Sequence, residues 1–407
     1  MNQLLTIGMI TKETLIVLVN ETSFTKRIKR EYDAHFGVDG AKIGMSINLR
    51  KPIRPIAVVG QALQLQDAVE TFVPLVLNSQ VHVDMAFTSQ ELGLFIDEFS
   101  DRFLRPSIAQ ISNRIDADGL LQYLNLFNEV GVPGTIPNSD LTYLQAAQRL
   151  DEMSVPRDGQ RFVAYSPAMN TSLVDALKGL FQKSDLIAEQ YAKGEMGTSF
   201  GLDFAMDQNV RVQTVGNPAG GFGAPTVNGA NQTGAAIITT AWTANQPILN
   251  IGDIVSFAGV FAVNPQSRAS TGALAQWVIT APVASVGAGA ATLPISGPDG
   301  NGLIVAGQFQ NASNSPANGA AVTVQGAPGT SSPRGLCFHP DAFAFVCADL
   351  PLYGGLDMGD RAASRELGVS VRIIRMYDIN LDRAPLRADI LYGWGTKYPQ
   401  LGVRIAS

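Results

Sequence analysis

The sequence predicts an α+β fold in which a mixed α/β body is interrupted by an inserted all-β, barrel-like domain. The first observation is charge. Residues 212–333 carry only Asp253, Arg268 and Asp299, whereas the whole chain has 29 Lys and Arg and 35 Asp and Glu. The second is that short β-branched runs alternate with turn clusters inside that segment. The third is that helical and strand patterns of ordinary charge resume on both sides, so the composition marks a separate module.

The inserted segment is predicted to form about six or more short strands. Three of them are the runs Ala235–Ala241, Ile254–Val263 and Trp277–Ala284. Tight turns are predicted at Asn228-Gly229 and in the Gly- and Pro-rich stretch 296–302. Because charges are so few, Asn, Gln, Ser and Thr must keep the domain in solution, and little charge repulsion separates neighbouring molecules.

The first 39 residues combine a helical pattern with the basic run Lys26-Arg27-Ile28-Lys29-Arg30, and residues 37–40 break the pattern. Two interpretations of the run stay open. It is either a solvated helix face or a contact with nucleic acid or an acidic partner.

Two strands with alternating apolar residues are predicted next, around residues 43–49 and around residues 81–87. The chain between them contains Pro52, Pro55 and Pro74. This pattern favours an extended β-hairpin arm. An isolated two-stranded ribbon is only marginally stable in water, so the arm needs a surface to lie on.

Several helices and a further strand are predicted between this arm and the inserted domain. The capping-box pattern Thr88-Ser89-Gln90-Glu91 begins one helix, and Pro106 is well placed in the first turn of a long one. A helix covers residues 140–153, Arg161–Tyr165 is a strand, and Asn170 or Thr171 caps another helix. The long helix is predicted to bury Ile108, Ile111, Ile115, Leu121, Leu124 and Phe127 and to end by residues 131–134.

After the inserted domain the pattern is mixed again. Leu336–Phe338 is apolar, and Asp341–Ala348 has a helix-like pattern. Strands are predicted at Val369–Met376, Leu386–Tyr392 and Leu401–Ile405. The flanks of the inserted domain thus make one α/β body with a long helix and a C-terminal β element.

Two motifs resemble those of enzymes but lack their context. Residues 197–201 match the G-x-S-x-G elbow of serine hydrolases, yet residues 193–196 predict a turn where a strand is needed, and His339 is the only later histidine. The Gly-rich stretch 216–223 lacks the Lys-Ser/Thr of a phosphate loop and is better explained as a linker. We therefore expect no catalytic residues and no cofactor.

Metal ligands, disulfides and membrane segments are not predicted either. Cys337-x-His339 with Cys347, and His82-x-Asp84, fall short of four ligands at a standard spacing. Two cysteines are too few for a disulfide scaffold and predict buried reduced thiols. The net charge of −6 gives no sign of a dedicated nucleic-acid binder. The sequence predicts neither a signal peptide nor a membrane span.

Several sequence blocks keep a fixed order over nearly the whole chain. They are Glu31–Gly44, Ile47–Pro52, Phe87–Leu92, Ile96–Pro106, Ala176–Phe181, Phe204–Val210, Phe338–Ala344 and Tyr392–Gly395. Together they resemble the major capsid (coat) proteins of tailed bacteriophages, in the branch typified by phage P22, whose coat protein carries an extra β-domain. No block carries catalysis, so the specificity of the resemblance lies in their number and order.

The resemblance implies the Hong Kong 97-type capsid fold with an inserted β-barrel. It divides the chain into an N-arm in residues 1–39 and an E-loop hairpin in residues 40–88. It implies a peripheral domain, with the long helix as its spine helix, in residues 89–134 and 369–407. The axial domain is expected in residues 135–215 and 334–368, and the inserted β-domain in residues 216–333.

The function implied by the resemblance is that of a major capsid protein that self-assembles as hexamers and pentamers into an icosahedral shell around a double-stranded DNA genome. The partners implied are other copies of the chain, a scaffolding protein, a portal, and packaged DNA through weak non-specific contact. A decoration protein stays open, and no membrane is involved. The expected location is the virion, after assembly in the cytoplasm of the bacterial host. The alternative is an encapsulin-like cellular nanocompartment protein, and an adhesin or an enzyme is more distant.

Cationic residues are the candidate contact residues. Arg50, Lys51 and Arg54 at the base of the hairpin are candidates for ion pairs between subunits, and the alternative is a solvated strand edge protected by Lys and Arg. Replacing Arg50 and Arg54 with Glu is expected to abolish or misdirect assembly of a folded monomer. The candidates for contact with a scaffolding protein or with the capsid interior are Lys26, Arg27, Lys29 and Arg30.

Overall fold

The computed structural model describes residues 11–12, 14–16, 18, 22–33, 46–58, 60–88, 105–177, 197–352, 358–364 and 368–407. The predicted break at residues 37–40, the capping-box residues Ser89–Glu91 and the helix after them lie outside this part of the chain. The chain divides into two compact units. The first unit comprises residues 1–50, 72–119 and 343–395, and the second unit comprises residues 51–71, 120–342 and 396–407.

The chain before the inserted domain contains helices, short 3₁₀ turns and strands. The helices are α1 (Arg105–Leu120), α2 (Asp140–Glu152) and α3 (Pro167–Leu177), and 3₁₀ turns cover Thr25–Arg27 and Leu121–Asn125. The strands are β1 (Lys29–Asp33), β2 (Ser46–Lys51), β3 (Thr71–Val76), β4 (Ser79–Thr88), β5 (Glu129–Val130), β6 (Phe162–Tyr165), β7 (Thr198–Ser199), β8 (Leu202–Met206) and β9 (Val212–Thr214).

The rest of the chain is almost entirely strand. The inserted domain has β10 (Gly223–Val227), β11 (Ala236–Trp242), β12 (Pro247–Leu249), β13 (Ile254–Val263), β14 (Ser270–Ile279), β15 (Val283–Ala284), β16 (Ala291–Ser296) and β17 (Val322–Val324). After it come β18 (Ser331–Phe338), β19 (Phe343–Ala348), β20 (Met358–Ser364), β21 (Val369–Arg375), β22 (Arg383–Thr396) and β23 (Gly402–Ala406). The 3₁₀ turns here are Pro298–Gly300, Pro340–Ala342 and Pro399–Leu401.

The first unit is built on a six-stranded sheet in the order β1-β19-β22-β21-β20, with β4 also pairing with β22. β1 runs parallel to β19, whereas β20, β21, β22 and β4 form antiparallel pairs. Strand β19 is buried along its whole length. Residues Ile108, Ile111 and Ile115 of α1 share one apolar cluster with it, and Leu75 and Leu77 share another. β19 is therefore the centre of the first unit's core.

A buried carboxylate ties α1 to the N-terminal segment. Asp116 accepts hydrogen bonds from the backbone N–H groups of Ser23 at 2.7 Å, Phe24 at 3.2 Å and Thr25 at 3.0 Å. It also accepts one from the Thr25 hydroxyl at 2.5 Å. Buried N–H groups without a partner cost free energy, so this one side chain satisfies the turn that precedes β1.

The second unit contains a seven-stranded sheet in the order β5-β23-β18-β6-β8-β7, with β9 also pairing with β18. Helix α2 packs against β23 and β5. Its residues Tyr143, Ala146 and Leu150 are buried because their spacing of three and four places them on one helical face. The Tyr143 ring meets the Phe204 ring of β8 edge-on, with centroids 5.6 Å apart.

The inserted domain closes into a barrel, as the sequence predicts. Its sheet runs β10-β11-β16-β14-β13-β17. Strand β10 then bonds to the segment just before β17, since the N–H of Val227 donates to the carbonyl of Ala320 at 2.9 Å and the N–H of Gly319 donates to the carbonyl of Val227 at 2.8 Å. An isolated bridge between Thr226 and Ala321 continues this contact. Phe257 and Trp277 fill the interior with ring centroids 5.3 Å apart. Closure removes exposed sheet edges, which is important for a domain with so few charges to protect them.

The hairpin differs from the prediction in its return strand. Strand β2 pairs with β3 in a two-stranded ribbon. The predicted partner around residues 81–87 is β4, which pairs with β22 over its whole length. Both alternating segments are strands, so those predictions are confirmed, but their pairing with each other is wrong. β3 tolerates Pro74 because each strand of a two-stranded ribbon has an edge without ladder hydrogen bonds.

Four element boundaries also differ from the prediction. The segment Asp341–Ala348 is a 3₁₀ turn followed by β19, and it contains no helix. The run Trp277–Ala284 is divided between β14 and β15. Helix α3 begins at Pro167, ahead of the predicted cap. The long helix ends at Leu120 and continues as a 3₁₀ turn, in which Leu121 is 37% exposed.

The three predicted C-terminal strands exist, but they do not form one element. β21 and β22 belong to the sheet of the first unit, whereas β23 lies between β5 and β18 in the second unit. The last twelve residues, 396–407, thus belong to the second unit, whereas the strands before them form the sheet of the first unit.

Candidate subunit interface

The loop of the hairpin exposes apolar side chains. Between β2 and β3, the described residues of the segment 52–70 form no strand. Leu63 and Leu65 are 84% and 88% exposed. The two arms of the loop are joined by the side chain of Gln66, which accepts from the N–H of Ile56 at 2.8 Å and donates to its carbonyl at 2.5 Å. A segment that is held in place yet exposes leucines has the character of an interaction surface.

The root of the hairpin is fixed by charge. Arg54 meets the carboxylate of Asp299 with both terminal nitrogens, at 2.5 Å and 2.8 Å. The ammonium of Lys51 lies 3.9 Å from the same carboxylate and donates to the Asp299 carbonyl at 3.3 Å. Burial lowers the pKa of Lys51, and the Asp299 carboxylate opposes that shift. These contacts join the hairpin to the inserted domain within one chain.

Asp299 is itself held by the C-terminal segment. Its N–H donates to the Gln400 side-chain oxygen at 3.1 Å, and the Gln400 amide donates back to the Asp299 carboxylate at 3.0 Å. The Tyr398 ring lies beneath the ammonium of Lys51 at 5.3 Å. We call the group formed by Lys51, Arg54, Asp299 and Gln400 the root contact.

A cleft of about 420 Å³ lies beside the root contact. Its walls include Pro55 and Ala57 of the hairpin, Met153, and Arg268 of the inserted domain. The Arg268 guanidinium donates to the carbonyls of Pro265 at 3.0 Å and Gly307 at 2.5 Å. Burial, and then the positive charge of Arg54, lower the pKa of Arg268. Arg268 therefore links two loops of the inserted domain. Among the contacts of the described residues, none joins Arg268 to Asp299.

The three candidate residues at the hairpin root, Arg50, Lys51 and Arg54, have different surroundings in the structure. Arg50 lies exposed on β2, next to Lys51, which is buried. Lys51 and Arg54 are engaged with Asp299 of the same chain, and whether any of the three also contacts another subunit stays a prediction. Sequence reasoning missed Asp299 and Gln400 as members of this site. The only signal was that Asp299 is one of three charges in residues 212–333.

The basic run does not form the helix face that was one of its two interpretations. Lys26 and Arg27 belong to the 3₁₀ turn, whereas Lys29 and Arg30 belong to β1. The Arg27 guanidinium donates to the Ser23 carbonyl at 2.9 Å, and burial lowers the pKa of Arg30. A role of these residues in binding a scaffolding protein stays a prediction.

The enzyme-like motifs lie in ordinary structural settings. Ser199 ends the two-residue strand β7, which turns back into β8 at Phe200, a residue with φ of 56°. This is a strand-to-strand turn and not a strand-to-helix elbow. Burial raises the pKa of both Cys337 and Cys347 to about 12, so each is a poor nucleophile at neutral pH.

The two histidines in the described part of the chain, His82 and His339, pair with nearby carboxylates. His82 lies 2.8 Å from Asp84 on β4, and His339 lies 3.2 Å from Asp158. Among the described residues, no three His, Cys, Asp or Glu side chains are grouped so that they could hold a metal ion. Within the same part of the chain, none of the helices has the length and apolar character needed to cross a membrane.

Comparison with known proteins identifies the family. A family model described as P22 coat protein, gene protein 5, matches residues 7–406. No curated protein matches the sequence. Similar solved structures include one from Mycobacterium phage Che8, with a TM-score of 0.48 and 10% identity over 95% of this chain and 92% of that one. Another is the mature capsid of bacteriophage PhiM1, with a TM-score of 0.46 and 11% identity over 95% of this chain and 87% of that one.

A third similar structure is the virus-like particle from Pyrococcus furiosus, with a TM-score of 0.40 and 8% identity over 97% of each chain. Because these TM-scores and identities are low, the assignment is made from the family match, which extends over almost the entire sequence. The chain belongs to the P22 coat protein family.

Proposed function

We propose that this phage coat protein forms hexamers and pentamers that close into an icosahedral shell around double-stranded DNA, and that its hairpin lies on a neighbouring copy. The observation that carries the proposal is the exposure of Leu63 and Leu65, 84% and 88%, in the loop of the hairpin. Leucines exposed in this way gain free energy when a partner covers them. In a shell the adjacent surface is another copy of the same chain.

The division of the chain into N-arm, hairpin, peripheral, axial and inserted domains is part of this proposal. The inserted barrel has its own closed sheet, which supports treating residues 216–333 as a domain. The family match to a phage coat protein favours a capsid over an encapsulin-like cellular compartment.

We propose the remaining partners from charge. A net charge of −6 suits a shell that touches packaged DNA only weakly, because strong binding to DNA requires many phosphate contacts from Lys and Arg. The cations at residues 26–30 are the candidate surface for an acidic segment of a scaffolding protein. Assembly would take place in the host cytoplasm, before attachment of any decoration protein and with a portal at one vertex.

Electron microscopy tests the proposal directly. The purified chain is expressed alone and together with its neighbouring viral open reading frame, and both samples are examined by negative staining. We expect uniform polyhedral shells, either in both samples or only with the partner present. A persistent monomer or a small ring in both samples would contradict the proposal.

A further inference from the structure

Asp299 has an unusual backbone conformation for a residue with a side chain. Its φ is 60°, in the left-handed region that Asp and Asn tolerate better than other residues with a Cβ. It lies in the turn Pro298–Gly300 at the end of a barrel strand, and Gln400 bonds both its backbone and its carboxylate. Its carboxylate is therefore presented from a fixed position on the inserted domain.

The Asp299 carboxylate pairs with Lys51 and Arg54, which are three residues apart in the sequence at the root of the hairpin. The side chains of Lys51 and Asp299 are each only 6% exposed, and that of Arg54 is 24% exposed. The Arg54 pair is bidentate, which fixes the orientation of the guanidinium as well as its distance. Such a pair is stronger than an exposed surface ion pair because less water screens it.

The chain next to both cations is stiff. Lys51 is followed by Pro52 and Arg54 by Pro55, and the pyrrolidine ring fixes φ at each proline. Holding Lys51 and Arg54 therefore sets the direction in which the loop leaves the barrel. On the return side, the Gln308 side chain donates to the carbonyl of Asp67 at 2.7 Å, so the inserted domain holds both arms of the loop.

We infer that Asp299 is a positioning residue for assembly: the inserted domain sets the direction of the hairpin loop through the root contact before the loop meets a neighbour. This inference rests on the proposed function. An arm that is already directed loses less conformational freedom when it docks, so a correctly held hairpin binds its neighbour more tightly. The inserted domain then contributes to assembly through the loop that it holds.

A charge exchange tests the inference. The variants are Arg54→Glu, Asp299→Arg and the double variant that carries both changes. We expect each single variant to form shells with a yield at least about tenfold below that of the wild type, because one partner of a half-buried pair is left facing a like charge. The double variant restores the Arg54 pair with reversed charge but leaves Lys51 facing a cation, so we expect it to yield clearly more shells than either single variant and fewer than the wild type.

Mixing the two single variants distinguishes contacts within a chain from contacts between chains. If Arg54 paired with Asp299 of another copy, the mixture would contain matched pairs and would assemble. We expect the mixture to fail while the double variant succeeds. Recovery in the mixture, or wild-type yields from both single variants, would overturn the inference.

Hydrogen–deuterium exchange of the unassembled chain supplies a second readout. We expect Asp299→Asn, which suits the same backbone conformation, to raise exchange in residues 56–70 and to leave exchange in β11 and β14 unchanged. If Asp299→Arg does not fold, Asp299→Asn still tests the inference, because its exchange is measured in the unassembled chain. Unchanged exchange in residues 56–70 would overturn the inference.

Arg268→Gln is the matched control, since Arg268 lines the same cleft but bonds only to carbonyls of the inserted domain. We expect wild-type shell yields from it, and a loss equal to that of Arg54→Glu would overturn the specific role of Asp299. If the wild type itself formed no shells with or without its partner, the proposed function would fail first. A failure of the inference alone leaves wild-type shells intact.

Discussion

At the scale of single residues, the second unit depends on a buried guanidinium. Arg404 is fully buried in β23, where its side chain donates to the Leu126 carbonyl at 2.9 Å and 2.6 Å and to the Gly252 carbonyl at 2.7 Å. It also lies 3.7 Å from Glu129, and Arg334 lies 3.3 Å from the same carboxylate. Burial lowers the pKa of Arg404 to about 10, so it stays charged at neutral pH. One side chain thus joins the C-terminal strand, the 3₁₀ segment after α1 and the barrel.

Replacing Arg404 with Met tests this role. The apolar chain fills similar space, but it leaves buried carbonyls without donors and Glu129 with one cation fewer. We expect the free energy of unfolding of the monomer to fall by about 3 kcal/mol. Urea denaturation measures it. The control Arg157→Met removes an arginine that is 75% exposed, and it should leave stability close to that of the wild type. Equal stability of Arg404→Met and the wild type would contradict the role.

At the scale of elements, the hairpin loop should serve assembly and not the stability of the monomer. We expect Leu63→Ser combined with Leu65→Ser to leave the free energy of unfolding within about 0.5 kcal/mol of the wild type, because both side chains are exposed. Shell formation should fall sharply, since apolar area is lost from the interface at about 25 cal/mol per Å². Sedimentation measures shells and monomer in one experiment.

The control for the hairpin variant is Val286→Ser, which removes an apolar side chain that is 63% exposed on the inserted domain. It should assemble normally. A double-leucine variant that assembles as well as this control would contradict the assignment of the loop as an interface.

Element prediction succeeded where a periodic pattern decides the conformation and failed where a partner decides it. The alternation around residues 43–49 and 81–87 predicts strands correctly, yet a period of two carries no information about which strand pairs with which. Strand β3 was not predicted because it contains Pro74, which is rare inside strands. In Phe343–Ala348 every residue is buried, so the apolar run has no period and does not distinguish a central strand from a helix. The root contact was not predictable, because Arg54 and Asp299 are 245 residues apart in the sequence.

At the scale of the whole molecule, family membership confirms the resemblance inferred from the sequence blocks, and with it the Hong Kong 97-type fold class and the function of a phage coat protein. The α+β architecture and the closed inserted barrel agree with that class. The blocks were informative because their order spans the chain. The charge-poor composition located the inserted domain for a different reason, since a closed barrel needs few charges to protect its edges.

Each compact unit has its own apolar core, and this leads to a prediction about unfolding. The core of the first unit includes Ile111 and Phe345, and that of the second includes Leu150 and Trp277. Since a domain with its own core unfolds as a cooperative unit, we expect two calorimetric transitions in the monomer. Asp116→Ala, which removes the acceptor of the Ser23–Thr25 turn, should lower only the transition of the first unit. Arg404→Met should lower only the other.

Combining the two substitutions completes the test. Residues without shared partners have additive effects on stability, so the double variant should show both shifts at the size of the single ones. Arg114→Ala is the control on α1, because this side chain is 62% exposed and its ion pair with Asp118 is therefore open to water. A single transition that both substitutions shift would mean that the two cores unfold together.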